Sequence, residues 1–122
     1  MYTKIYTIKE NIIRVNIDYI RKLLEDPNVN SDDVLDSFVN LNLETISKTP
    51  KLLIFIIDYS SVTIKDIQYV GFVIQLLLAV QIRFKDNVKE IRVFNSSPII
   101  ENVLNTTSHL INVDCMNKIK FK

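Results

Sequence analysis

Glycine occurs once in this chain of 122 residues, at Gly71. Nucleotide-binding α/β proteins normally place several glycines where the backbone must approach phosphate, so neither a P-loop nor a dinucleotide fingerprint can be built here. Cysteine also occurs once, at Cys115, which excludes an internal disulfide and an all-cysteine metal site. The only histidine, His109, has no cysteine or carboxylate at metal-ligand spacing, so no metal and no cofactor are expected. A Ser or Cys triad would have to use that one imidazole, and no enzymatic activity is expected. Charge of one sign is missing too: 15 Lys and Arg stand against 14 Asp and Glu. A net charge of +1 gives no global field to gather nucleic acid or anionic lipid. The most apolar stretch, residues 69–82, is too short to span a bilayer and contains Gln75 and Gln81, so no membrane insertion is expected. With no signal peptide visible, a cytoplasmic protein is expected.

What the chain does have is an ordinary globular balance, 48% hydrophobic and 24% charged, in a length that suits one domain with a real core. Its organising stretch is 51–83, KLLIFIIDYSSVTIKDIQYVGFVIQLLLAVQIR. A short β-branched run, 52–57, closed by Asp58, reads as a strand buried on both faces. The polar link 59–66 leads to an apolar segment too long for a strand, read as a helix.

On the N-terminal side, Ile13, Val15 and Ile17 alternate with Arg14 and Asn16, a strand with one buried face. Residues 9–11 are the turn back from a first strand around 3–8, so a hairpin opens the domain. Asp18 is placed to cap a short helix carrying Ile20, Leu23 and Leu24, halted by Pro27. Ser31 and the two aspartates after it suit the start of a second helix, whose apolar face holds Leu35, Phe38, Val39, Asn42 and Ile46, with Val34 and Leu41 at its margins. Thr49-Pro50 ends it. Beyond the long helix, 85–89 reads as a charged loop and 91–94 as a strand. Ser97 as N-cap with Pro98 at the first helical position then opens another helix. A small edge strand is expected at 110–113, with a tail at 117–122 that extends it or frays. Alternation of strands and helices implies a mostly parallel sheet with right-handed crossovers in one domain, residues 1–122.

Asp58-Tyr59-Ser60-Ser61-Val62-Thr63-Ile64-Lys65-Asp66 resembles the central signature of the STAS domain, the module of anti-sigma factor antagonists and sulfate transporters. Val93-Phe94-Asn95-Ser96-Ser97-Pro98 and Val103-Leu104 are similar to the family's next strand and helix. The likeness covers roughly residues 51–113. It implies an α/β fold: a small, mostly parallel sheet with an N-terminal hairpin and helices packed mainly on one face. It further implies a bacterial signalling protein of transcription regulation, whose partner is an anti-sigma factor or a kinase-like regulator. One departure is central. Where family members that switch by phosphorylation carry Asp-Ser-Ser-Gly, this chain has Asp66-Ile67-Gln68-Tyr69, and Gln68 stands where the phosphoacceptor serine would be. Without an acceptor, the added charge that repels or recruits a partner is lost.

With Gln68 as reference and about 100° per residue, Gly71, Phe72, Gln75, Ala79 and Ile82 fall within about 60° of it, with Arg83 at the margin. Val70, Val73, Leu77 and Val80 lie opposite, so the first group is expected to face away from the sheet. That face has no charge before Arg83 and carries an aromatic, the composition of an interface core. Either another helix of the same chain covers it or a partner docks there. The expected partner-binding residues are Ser60, Ser61, Asp66, Ile67, Gln68, Tyr69, Phe72 and Gln75. Ser60, Ser61 and Thr63 cap or close turns, or else offer a displaced phosphosite. From a different class, the chain is a structural subunit acting through homodimerisation or assembly in a larger complex. A third reading, a small-ligand or lipid-binding domain, has no convergent polar group in the sequence to favour it.

Overall fold

The computed structural model describes residues 2–60, 70–95, 97–98, 101–102 and 117–122. Along the chain run β1 (Tyr6–Lys9), β2 (Ile12–Val15), α1 (Ile17–Glu25), α2 (Ser31–Lys48), β3 (Leu53–Asp58), α3 (Val70–Phe84), β4 (Val88–Phe94) and β5 (Ile119–Phe121). The sheet order is β1-β2-β3-β4-β5, identical to the chain order. β1 pairs antiparallel with β2; every other neighbour pair is parallel. This is an α/β fold on a five-stranded mixed sheet.

Strand order explains where the helices sit. Parallel crossovers are right-handed, so connections that all step in one direction across a sheet leave their helices on the same face. Accordingly Ile17 and Ile20 of α1, Val34 and Phe38 of α2, and Phe72 and Leu76 of α3 share one core with Ile13, Val15, Leu53, Phe55, Ile57, Ile91 and Val93 of the sheet. Phe38 is its hub, edge-on to Tyr6 (centroids 5.9 Å, 87°) and tilted against Phe55 (6.2 Å, 44°). Register pairs Arg14 with Ile56 and Ile56 with Arg92 on the opposite face, and Ile54 lies there beside Glu90. Aliphatic stems of such neighbours shield isoleucine while their charged ends reach water.

A shift in the β3–β4 register, Leu53 opposite Val88 and then Ile54 opposite Glu90, leaves Lys89 as an extra residue. That insertion lets both Val88 and Ile91 turn into the core, where each is buried.

Several boundaries differ from those read in the sequence. Thr3–Ile5 is a 3-10 turn, so the first strand begins only at Tyr6. Ile17 opens α1 rather than ending β2, and Asn16, not Asp18, holds the N-cap position. The Asn16 side chain makes no cap bond; its Nδ2 donates to Lys4 O (2.7 Å) and ties that 3-10 turn to the end of β2. The second helix starts as expected at Ser31, capped by Asn30, whose Oδ1 accepts from the Asp32 N–H (2.8 Å). Its buried side is turned toward Val34, Ser37, Asn42 and Thr45, and Leu35, Val39 and Ile46 are only partly buried. Lys85–Asn87 is a 3-10 turn and β4 starts at Val88, inside the expected loop. The C-terminal tail is a parallel edge strand, and residues 110–113 lie outside those described. Pro98 takes helical geometry, as do residues 101–102, and the Glu101 N–H donates to Ser97 O (3.0 Å). Among the described residues no helix is long and apolar enough to cross a membrane.

Candidate functional site

The end of β3 is fixed by its neighbour strand. Tyr59 N–H donates to Phe94 O (3.0 Å), extending the β3–β4 pairing one step past Asp58. Asn95, the residue after β4, sits in the left-handed region at φ 55°, a conformation that asparagine tolerates better than most residues. From there its Nδ2 donates to Asp58 Oδ1 (2.9 Å), and the same oxygen accepts the backbone N–H of Ser60 (2.9 Å). The Asn95 amide foremost, then the Ser60 N–H, with Arg14 adding charge, hold the Asp58 carboxyl below its ordinary value. Asp58 is therefore ionised at neutral pH and works as an acceptor that locks the start of the following loop. Tyr59, read as part of a polar link, is instead buried, and burial pushes its phenol well above the usual range.

Of the expected partner-binding residues, Ser60 is exposed at the mouth of that loop. Ser61, Asp66, Ile67, Gln68 and Tyr69, with Thr63, lie outside the described residues. Gln75 is exposed on α3, as expected. Phe72 is not. It is 7% accessible and packs into the core with Leu76, one turn on, so it is no exposed anchor for a partner. The outward side of α3 is centred on Gln75 and Ile82, seven residues apart, and Ile82 is 75% accessible. The physical reason is that α3 is apolar on nearly all sides, so the sequence carries little rotational signal. Tertiary packing settles the rotation and takes Phe72 into the core shared with α2 and the sheet.

A second feature had no clear sequence signal. An open pocket of about 710 Å³ lies at the carboxyl ends of β2 and β3, against the start of α1. Lys4, Arg14, Lys22, Asp18, Asp58 and Ser60 line it, with the Tyr19 ring beside them. Its basic groups come from three separate elements: the first 3-10 turn, β2 and α1. Only the parallel pairing of β2 with β3 and the Asn16 link bring them together. The carboxyl ends of parallel strands are the usual place for ligands in open α/β sheets.

No protein-family model matches this chain, and no curated protein matches it.

Proposed function

We propose that the chain is a cytoplasmic, STAS-like protein-binding module of the anti-sigma factor antagonist type. It engages an anti-sigma factor or kinase-like regulator through the loop after Asp58 and the outer flank of α3. The five-stranded sheet with its opening hairpin and one-sided helices agrees with the architecture the resemblance implies. The observation that carries the reading is Ile82, a large aliphatic side chain left 75% accessible on the helix that follows the anchored loop. Gln75, two turns before it on the same side of the helix, and Ser60, just after Asp58, are exposed as well. With Gln68 where the phosphoacceptor would stand, binding is constitutive.

The test is titration calorimetry against kinase-fold regulators encoded in the same genome, using the wild-type chain and Ile82→Glu. Binding by the wild type, lost in Ile82→Glu with an unchanged thermal melt, is the expected result. If none of these regulators binds, or the variant binds as well as the parent, the reading fails. The same exposed Ile82 also favours a homodimeric scaffold. Light scattering would then give a dimer that Ile82→Glu dissociates.

A further inference from the structure

Three cationic side chains, Lys4, Arg14 and Lys22, line the pocket at the carboxyl ends of β2 and β3 against two carboxylates, Asp18 and Asp58. Of its two carboxylates, Asp18 pairs with Arg21 (3.2 Å), whereas Asp58 accepts from the neutral donors Asn95 and Ser60 and keeps its charge, which Arg14 helps to stabilise. Among the described residues no ion pair engages Lys4, Arg14 or Lys22. The walls are fixed, because the Asn16 side chain bonds Lys4 O and its N–H donates to Ile5 O (2.8 Å). Lys4, Arg14 and Lys22 all line this cavity of about 710 Å³, a size suited to a small molecule. A single carboxylate needs one such partner; three, from three elements, suit a group carrying at least two negative charges. Tyr19 offers a ring and a phenol for the organic remainder.

We infer that this pocket binds a small organic phosphate, held by Lys4, Arg14 and Lys22. Recognition here rests on side-chain cations, which is consistent with a chain that has a single glycine and no backbone phosphate cradle. The cationic side of the site is separate from Ile82 on the outer flank of α3, although the two readings share Ser60, so loss of pyrophosphate binding in Arg14→Gln and loss of partner binding in Ile82→Glu are separate readouts.

The experiment is an amide NMR titration of the full chain with inorganic pyrophosphate, and in parallel with citrate, to separate phosphoryl from carboxylate recognition. Saturable shifts confined to the amides around Lys4, Arg14, residues 16–19 and Ser60 are expected with pyrophosphate, and weaker binding with citrate. Each of Arg14→Gln and Lys22→Gln should weaken pyrophosphate about tenfold or more, as for loss of a charged hydrogen bond. Lys51→Gln, an exposed site outside the pocket, should leave the affinity unchanged. Thermal melts of all three variants are recorded to establish that they are folded. Shifts scattered over every surface lysine, or an affinity indifferent to Arg14→Gln and Lys22→Gln, would overturn the assignment. Tighter binding of citrate would overturn the phosphate class.

Discussion

Asn42 is fully buried on the inner side of α2, and its two amide ends fare differently. Nδ2 donates to Phe38 O (2.8 Å), whereas Oδ1 has no partner among the described residues. An acceptor buried without a donor costs about 1–3 kcal/mol, and the one bond made returns about 0.5–1.5 kcal/mol. Phe38 O also lies at the i−4 position of the helix ladder, so losing the side-chain donor does not orphan it. Replacing Asn42 by Leu keeps the branching at Cγ, brings in bulkier methyl groups in place of the amide ends, and adds about 1.5–3 kcal/mol of apolar burial. Leucine is also the better helix former by a few tenths of a kcal/mol, roughly. After discounting for imperfect fit, Asn42→Leu should stabilise the fold by about 1–2 kcal/mol. For a chain of this size that is a rise in melting temperature of roughly 3–10 °C. Urea unfolding followed by circular dichroism should show a higher midpoint with an unchanged slope. A loss of more than about 1 kcal/mol would refute the reasoning, because it would mean that a buried water or chain donor satisfies Oδ1 in the parent.

Phe72→Glu should prevent stable folding rather than merely block binding, since a large core side chain is lost (about 3–5 kcal/mol for Phe→Ala) and a carboxylate is buried in its place. A cooperative melt close to the parent's would show that the residue is not internal. Asp58 has a folded-state carboxyl below its unfolded value, so the folded chain binds fewer protons there and is stabilised as pH rises. That contribution is complete above the ordinary carboxylate range and disappears as pH falls through the lowered folded value. Urea midpoints of the parent and Asp58→Ala should therefore differ at pH 7 and draw together below pH ~3. A gap that is constant over that range would remove the Asn95 and Ser60 bonds from the account.

Much of this architecture is legible from residue order. The β-branched run ending at Asp58, the Thr49-Pro50 stop and the Ser97-Pro98 start each report a local steric or hydrogen-bonding preference, and each lies where it was read. The rotation of α3 is a different matter. Phe72 and Gln75 sit about 60° apart on a helix that is apolar almost all round, and only tertiary packing chooses between them. Asn16 and Asn95 were equally opaque. Each is an asparagine beside a strand end, and its partner, Lys4 O or Asp58 Oδ1, is set by pairing between distant segments. The basic pocket depends on such links throughout, so nothing in the spacing of Lys4, Arg14 and Lys22 announced it.

Because each strand is laid down beside the one made just before it, the domain can be assembled in the direction of synthesis. Once Asp58 has left the ribosome, β1 and β2 already have the neighbours they keep in the finished sheet, and β4 and then β5 add to a template that exists. At each stage only the newest strand waits for a later segment, and that segment is the next strand made, which shortens the period when bare backbone can recruit another chain.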